Sequence, residues 1–221
     1  MRRLTALLVS IALVGCRSVS STTGPEPSAS SASAVNSAAV RGDPGQVGSG
    51  TALTPRAGNA LAAFSAGCFW GVEDTFRHVP GVVASAVGYT GGRTDAPTYA
   101  SVCRHTTGHA ETVLVEFDPK VVSYATLLNV FFKNHDPTTK NYQGPDVGDQ
   151  YRSAIFTLSA EQDAAARAAK ARETEALKQE VVTEIGPLVR FWKAEEYHQQ
   201  YDEKTGSHSC PTPQGLPTQG T

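Results

Sequence analysis

The chain has 221 residues, of which 40% are hydrophobic and 18% are charged, and its formal net charge is −2 at pH 7. These values are typical of a globular protein, and they exclude the strongly basic balance of a nucleic-acid-binding domain, so no nucleic-acid partner is expected. The four cysteines are too few for a small disulfide-stapled scaffold, so each of them is interpreted separately.

The N-terminal residues 1–15 predict an export signal. Two arginines precede the uncharged apolar residues 4–14, a stretch too short to span a bilayer comfortably. The stretch ends at Leu13-Val14-Gly15-Cys16, which resembles the lipobox of bacterial lipoproteins, where the signal is cut before a cysteine that carries lipid. We therefore predict Cys16 as a lipidation site on an exported, membrane-anchored protein that faces the periplasm or the cell exterior. The alternative is a plain signal peptide with an incidental cysteine.

Residues 17–58 have the composition of a linker. They are almost all Ser, Ala, Thr, Gly, Pro and Val, with no aromatic residue. Such a segment cannot bury enough apolar surface to offset the entropy lost on ordering. We predict a lipidated cysteine and flexible linker over residues 16–59, one folded domain over residues 60–210, and a flexible tail over residues 211–221.

Hydrophobic patterning predicts both strands and helices in the folded domain. Short apolar, valine-rich or alternating segments predict strands at residues 61–65, 82–89, 111–117, 151–158 and 181–185. Amphipathic or capped segments predict helices at residues 71–78, 124–132, 160–177 and 194–201. Residues 141–148, rich in Gly, Pro and Asn, predict a loop. The pattern favours an α+β fold, a mixed β-sheet with helices packed on it, but does not determine its topology.

The segment Gly67-Cys68-Phe69-Trp70-Gly71 lies where the first predicted strand turns into the first predicted helix. Two glycines allow a tight turn there. A cysteine at a helix N-terminus lies near unpaired backbone N–H groups and the positive end of the helix dipole, which lower a thiol pKa. The pattern therefore indicates a reactive thiolate at Cys68. A buried structural cysteine in a turn is the alternative.

The same segment, extended to Gly67-Cys68-Phe69-Trp70-Gly71-Val72-Glu73, resembles the signature of peptide methionine sulfoxide reductase, A type. Further motifs of that family follow in the same order: Gly88-Tyr89-Thr90-Gly91-Gly92, Thr107-Gly108-His109-Ala110-Glu111, His135-Asp136-Pro137-Thr138-Thr139, Gln150-Tyr151-Arg152-Ser153 and Ala194-Glu195-Glu196-Tyr197-His198-Gln199-Gln200-Tyr201. The resemblance covers almost the whole predicted domain. It implies a two-layer sandwich or roll that reduces methionine S-sulfoxide in proteins, in peptides and as the free amino acid.

The resemblance implies that Cys68 attacks the sulfoxide sulfur and becomes a sulfenic acid, while an acid at Glu111 supplies a proton to the sulfoxide oxygen. The strand pattern supports the second role, because Glu111 shares a face with Val113 and Val115. A carboxyl on an apolar face is expected to have a raised pKa. Without the resemblance, a strand-end glutamate that reaches solvent would be the simpler interpretation.

The resemblance also implies a binding site for the sulfoxide group. Tyr89 and Tyr151 match two tyrosines whose hydroxyls hydrogen-bond the sulfoxide oxygen, and Asp146 matches an acidic position in the loop before the second tyrosine. Phe69 and Trp70 match the aromatic wall that receives the methyl group. Each tyrosine is also compatible with an ordinary strand aromatic, and Asp146 with a turn former.

Cys210 matches the resolving cysteine of family members that carry one such residue in the C-terminal tail. It would form a disulfide with Cys68, which a thioredoxin-like protein would reduce. The resemblance therefore implies an external thiol reductant, no bound cofactor and no metal. Cys103 is not a catalytic position in the family, and we expect a small, partly buried residue there.

The sequence also leads to expectations about partners, about Asp149 and about alternative functions. We expect a monomer whose partners are oxidised proteins and peptides, a thioredoxin-like reductant and, through the lipid, the membrane. Asp149 stands where a small neutral residue was expected and adds a charge near the predicted pocket. The alternatives to a reductase are a thiol peroxidase, and a lipid-anchored binding module without enzymatic activity.

Overall fold

The structure, a computed structural model, describes residues 54–207. The predicted signal peptide, Cys16, nearly all of the predicted linker, and Cys210 with the tail lie outside the described residues. Within residues 54–207, no helix is long and apolar enough to cross a membrane.

Strands and helices are interspersed along the described chain. The strands are β1 (Ala60–Ala66), β2 (Val82–Thr90), β3 (Ala110–Phe117), β4 (Tyr142–Gln143), β5 (Asp146–Val147), β6 (Ser153–Thr157), β7 (Glu184–Pro187) and β8 (Trp192–Lys193). The helices are α1 (Phe69–Arg77), α2 (Tyr99–Val102), α3 (Tyr124–Lys133), α4 (Ala160–Leu177) and α5 (Tyr201–Thr205).

Six of the strands form one mixed sheet in the order β7-β6-β1-β3-β2-β8, and β4 pairs with β5 in a separate two-stranded ribbon. The neighbours in the large sheet are antiparallel except for β6 and β7, which are parallel. The predicted fold class, a mixed sheet with helices packed on it, is therefore confirmed.

The larger core lies between one face of the sheet and helices α1, α3 and α4. Its centre is a stack in which the ring of Phe64 from β1 lies 4.7 Å from that of Phe76 and 5.5 Å from that of Phe131. Val113 and Val115 of β3 point into this core. Because side chains two positions apart share a face of a strand, Glu111 lies on the same helix-covered side of the sheet.

One predicted element near the C-terminal end of the domain was wrong in extent. The helix predicted over residues 194–201 is a 3₁₀ turn, Glu196–His198, followed by the separate helix α5. Gln200 breaks the run with a left-handed φ of +49°. The break has a physical cause, because the Gln199 amide donates to the backbone oxygen of Val87 and accepts from its N–H, both at 2.9 Å.

Smaller differences affect the other elements. Tyr151 ends a 3₁₀ turn, Asp149–Tyr151, and does not lie in the following strand. The predicted loop at residues 141–148 contains the ribbon of β4 and β5, and the predicted strand at residues 181–185 lies a few residues later, as β7. Helix α2 and strand β8 were not predicted.

Candidate active site

Cys68 sits at the junction of β1 and α1. It is the N-cap of α1, with φ −56° and ψ 121°, and it is partly buried. The preceding Gly67 has a φ of +105°, and a β-carbon there would lie 2.9 Å from Cγ of Gln143. Only glycine therefore fits this turn, which presents the Cys68 sulfur at the positive end of α1, where backbone N–H groups favour a negative charge.

Glu111 is held directly beside this junction. Its side chain is buried, with 2% of the residue exposed, and its Oε2 accepts a 3.0 Å hydrogen bond from the backbone N–H of Phe69. Phe69 is the residue after Cys68, so one hydrogen bond links the carboxyl to the start of α1. The structure brings the predicted nucleophile and the predicted acid together.

Tyr89 lies opposite Glu111 across the β2–β3 ladder, so the two side chains share a face of the sheet. Its ring is fully buried, 5.8 Å from that of Phe69. Burial raises the pKa of Tyr89 above its usual value, and the nearby Glu195 and Glu111 raise it further, so the phenol keeps its proton. It donates that proton to Oε2 of Glu195 at 3.0 Å.

Tyr151 and Asp146 approach Cys68 from the loop between α3 and β6. Tyr151 is half-buried, and its pKa is raised by burial first and then by the charges of Glu111, Asp146 and Cys68, all of which lie close enough to act on its hydroxyl. Burial also raises the pKa of Asp146. The structure therefore brings both residues to the same site.

Phe69 and Trp70 form an aromatic wall with residues of the C-terminal segment. Trp70 stacks on Tyr201 with a centroid distance of 3.8 Å and donates its Nε1–H to Nδ1 of His198 at 2.9 Å. The Phe69 ring lies 5.0 Å from the imidazole of His198. Such a wall is suited to an apolar group such as a thioether methyl.

Sequence reasoning assigned no role to Glu195, His198 or Tyr99, although the structure places all three at the site. Glu195 accepts from Tyr89 and from the backbone N–H of Tyr99, and the Tyr99 ring lies 4.6 Å from that of His198. Glu195 and His198 belong to a motif that carried the family resemblance, which was the available signal. The helix predicted over that motif gave no indication that Glu195 and His198 lie near Cys68. Helix α2, which begins at Tyr99, was not predicted.

A cavity of about 830 Å³ reaches Cys68 and Asp146. Its other lining residues come from the end of β1, from α1, from the C-terminal end of α3, from residues 134–139 and 142–145, from the C-terminal part of α4 with Gln179, and from Asp202. Cys68 is therefore accessible from the cavity, whereas Glu111, Tyr89 and Tyr151 are not among the residues that line it.

Cys103, the other described cysteine, is partly buried at the end of α2. Burial raises the pKa of its thiol, whereas a hydrogen bond with the Tyr99 side chain lowers it, and the net shift is upward. A raised pKa disfavours a reactive thiolate. Among residues 54–207, no group of three or more His, Cys, Asp and Glu side chains is placed to hold a metal ion.

Comparison with known proteins agrees with this geometry. Residues 60–218 match the family model described as peptide methionine sulfoxide reductase. Peptide methionine sulfoxide reductase MsrA of Methanosarcina acetivorans is 60% identical over 154 residues, which are 69% of this chain and 82% of that protein. The chain belongs to the MsrA family of peptide methionine sulfoxide reductases.

Solved structures of this family share the fold. Mxr1 from Saccharomyces cerevisiae in reduced form matches with a TM-score of 0.67 and 36% identity, covering 72% of this chain and 91% of that one. Mxr1 in complex with Trx2 matches with a TM-score of 0.51 and 28% identity, covering 74% and 94% of the two chains. As a member of the MsrA family, this chain is a peptide methionine sulfoxide reductase.

Proposed function

We propose that this reductase acts on the S epimer of methionine sulfoxide, in proteins, in peptides and as the free amino acid, with Cys68 as nucleophile and Glu111 as acid. One observation supports the proposal most strongly, the 3.0 Å hydrogen bond from the Phe69 N–H to Glu111. It links the carboxyl to the residue next to Cys68, so a sulfoxide held by the sulfur has its oxygen within reach of the acid.

In the first step the Cys68 thiolate attacks the sulfoxide sulfur while the proton of Glu111 moves to the sulfoxide oxygen. A bond forms between the two sulfur atoms. When the oxygen is then transferred to the Cys68 sulfur with its proton, the methionine S–O bond and the new sulfur–sulfur bond both break. The products are a Cys68 sulfenic acid and methionine. The thiol is oxidised by two electrons and the sulfoxide is reduced by two, so one thiol and one sulfoxide give one sulfenic acid and one thioether.

The substrate side of the proposal assigns contacts to five residues. Phe69 and Trp70 receive the methyl group, and the hydroxyls of Tyr89 and Tyr151 hydrogen-bond the sulfoxide oxygen, that of Tyr151 before and that of Tyr89 after the oxygen is protonated. Asp146, whose pKa is raised by burial, stands beside Tyr151 and acts on its hydroxyl. These contacts fix the direction of the S–O bond, which is the basis for selecting one epimer.

Cys210 resolves the sulfenic acid in the second step. Its thiolate displaces hydroxide from the Cys68 sulfur, a disulfide forms, and water is released. Helix α5 is fixed on α1 by the ion pair of Arg77 with Glu203 at 2.7 Å. Asp202 lines the cavity that Cys68 lines. Helix α5 ends at Thr205, and the five residues from there to Cys210 span at most about 18 Å when extended, so the tail starts within one helical turn of this cavity.

A thioredoxin-like dithiol then reduces the Cys68–Cys210 disulfide, and no bound cofactor is required. The yeast relative solved in complex with Trx2 supports a partner of this kind.

We propose further that the chain is a monomer anchored outside the cytoplasm by lipid on Cys16. A linker of residues 16–59 would hold the domain on the order of 35 Å from the membrane. Release of the protein from membranes in Cys16→Ser tests the anchor separately.

The test of the reductase is turnover of S- and R-sulfoxide peptides by the purified full-length protein in detergent, first with dithiothreitol and then with a thioredoxin. We expect reduction of the S epimer alone, loss of all activity in Cys68→Ser, and loss of only the thioredoxin-supported activity in Cys210→Ser. The variant Cys103→Ser is the matched control and should retain both. Reduction of neither epimer would refute the proposal, and rapid consumption of peroxide instead would identify a thiol peroxidase.

A further inference from the structure

Glu195 joins three elements around the buried hydroxyl of Tyr89. Its Oε2 accepts the Tyr89 hydroxyl at 3.0 Å, and its Oε1 accepts the backbone N–H of Tyr99 at 2.9 Å. Nε2 of His198 lies 3.9 Å from the same Oε2. Close approach of β8 to β2 makes this possible, because a β-carbon on Gly88 would lie 2.3 Å from the backbone oxygen of Trp192, three residues before Glu195.

The direction of the hydrogen bonds follows from which groups are able to donate. The Trp70 indole N–H can only donate, so Nδ1 of His198 accepts and the neutral ring carries its proton on Nε2. That Nε2 has no hydrogen-bond partner and faces Glu195. The backbone N–H of Tyr99 can likewise only donate. Glu195 therefore meets positive partial charge from both neighbours, which favours its carboxylate form.

The remaining groups around Glu195 agree with a carboxylate. Burial raises the pKa of Glu195, but hydrogen bonds from the Tyr99 N–H and the Tyr89 hydroxyl bring it below its usual value. Cys103, Tyr197 and Glu111 also lie near this group of side chains. The His198 pKa is lowered by burial, so the imidazole stays neutral and Glu195 remains the charged partner of Tyr89.

A phenol has one proton to donate, and Tyr89 donates its proton in a hydrogen bond to Glu195. We propose that Glu195 is a positioning residue of the reductase, which acts through Tyr89 by keeping its hydroxyl oriented as a hydrogen-bond acceptor toward the substrate. The inference rests on the proposed function and deepens it. Glu111 and Tyr151 are then the donors to the neutral sulfoxide oxygen. Tyr89 accepts the new O–H once the Glu111 proton has moved to that oxygen, and it keeps its own proton throughout.

The variant Glu195→Gln reverses this hydrogen bond with little change of shape. The Tyr99 N–H requires an acceptor, so the amide oxygen takes the place of Oε1 and the amide NH₂ takes the place of Oε2. The NH₂ group donates to the Tyr89 oxygen and turns the phenol proton toward the substrate. Tyr89 then assists the neutral sulfoxide but cannot accept the O–H that forms as the reaction proceeds.

The expected kinetics distinguish an effect on binding of the neutral sulfoxide from an effect on the protonated oxygen that forms during the reaction. In Glu195→Gln, single-turnover formation of methionine falls on the order of tenfold, the value of one good hydrogen bond. KM stays the same or decreases, because binding of the neutral sulfoxide is not weakened. Glu196→Gln is the matched control, since it removes the same charge one residue away, where the side chain is 78% exposed and pairs with Lys193. It should change neither quantity.

A double-mutant cycle with Tyr89→Phe tests whether Glu195 acts through Tyr89. We expect Glu195→Gln to change the rate by less than about twofold once the hydroxyl is absent. If the two effects multiply instead, or if Glu195→Gln raises KM together with a loss of kcat, Glu195 is a structural residue and the inference is wrong. The wild-type and Cys68→Ser proteins run in the same assay report separately on the proposed function, which stands or fails whatever Glu195 does.

Discussion

The site has two walls that are built in different ways. The sheet wall is Tyr89 and Glu111, side chains directly opposite each other on β2 and β3 and both at most 2% exposed. The turn wall is Asp146 and Tyr151, partly buried residues of a two-residue strand and a 3₁₀ turn. The register of a central strand pair fixes the first wall. The second depends on side chains that hold a loop in place.

A fully buried histidine supports the turn wall. Nδ1 of His135 lies 2.7 Å from the backbone oxygen of Phe131, and Nε2 lies 2.7 Å from Oγ of Ser153 at the start of β6. Ser153 in turn hydrogen-bonds Thr183 at 2.7 Å. This network ties the end of α3 to the residue two positions after Tyr151. The turn wall is therefore sensitive to polar substitutions and to pH, whereas the sheet wall is sensitive to strand pairing.

Replacement of Glu111 by Gln is expected to have the largest effect on the rate. The variant keeps the shape of the sheet wall and can still accept the Phe69 N–H, but it has no acidic proton to transfer. Because general acid catalysis contributes about 10²–10⁴-fold, single-turnover reduction should fall by at least two orders of magnitude. Quenched-flow measurement of methionine release with the S-sulfoxide peptide checks the value.

Glu116→Gln is the control in the same strand. Glu116 is also buried, but it accepts hydrogen bonds from the Arg56 N–H and the Asn59 side chain, far along β3 from Cys68. Its rate should stay within about twofold of the wild type, as for a substitution that does not touch the reacting atoms. Equal losses in the two variants would mean that the sheet wall needs buried carboxylates for folding and not for chemistry.

Gly67→Ala should be next in size, because Gly67 precedes Cys68 and lies against Gln143, three residues before Asp146 of the turn wall. Its φ is +105°, and a β-carbon there meets Cβ and Cγ of Gln143 at 3.0 and 2.9 Å. Left-handed backbone costs about 1–2 kcal/mol, and the contact adds a similar amount, so we expect about 3 kcal/mol of lost stability in urea unfolding. Gly58, with φ +86° and nothing within 4 Å, isolates the backbone share. A cost in Gly67→Ala no larger than in Gly58→Ala would contradict the contact.

Elements determined by local sequence could be predicted closely. The helix predicted over residues 160–177 is α4 without change, because Ser159 caps it by accepting the Gln162 N–H at 3.2 Å. The strand predicted over residues 111–117 differs from β3 by one residue, because its alternation fills both buried faces of a central strand. In both cases the decisive interactions are near in sequence or repeat regularly along it.

Elements determined by distant contacts could not be predicted in this way. The 194–201 segment has helical residues, but Gln199 hydrogen-bonds Val87, which lies 112 residues away in sequence. The same applies to the site. Cys68 and Glu111 could be named from motif and pattern, whereas the place of Glu195 depends on how β8 joins the sheet. A prediction from one sequence has no access to that pairing.

Stability should decrease on acidification through the buried His135. Burial lowers the pKa of His135 to about 4. The unfolded chain, with a histidine pKa of about 6.5, binds more protons in that range, so stability is present above pH 6.5 and is lost as pH falls toward 4. Between pH 7 and pH 5 this amounts to about 2 kcal/mol.

Urea unfolding at several pH values measures the slope, and His135→Gln should flatten it. The lowered pKa values of His109 and His198 act in the same direction, and the raised pKa of the buried Glu73 opposes them. The difference between the pH dependences of unfolding of wild type and His135→Gln gives the contribution of His135 alone. Parallel pH curves for the two proteins would show that the turn wall does not depend on a neutral His135.

The smallest expected effect is a difference in the free energy of unfolding between Tyr89→Phe and Tyr151→Phe. Tyr89→Phe removes the donor that Glu195 holds at 3.0 Å inside the protein, so it should cost about 1–2 kcal/mol in urea unfolding. Tyr151 is half-buried, and water can replace its partner, so Tyr151→Phe should stay within about 0.5 kcal/mol of wild type while slowing reduction. Both variants remove one hydroxyl, and each is therefore the other's control. Equal stability losses would mean that the two walls are equally part of the folded core, and the distinction between a wall fixed by strand register and one fixed by a loop would have to be abandoned.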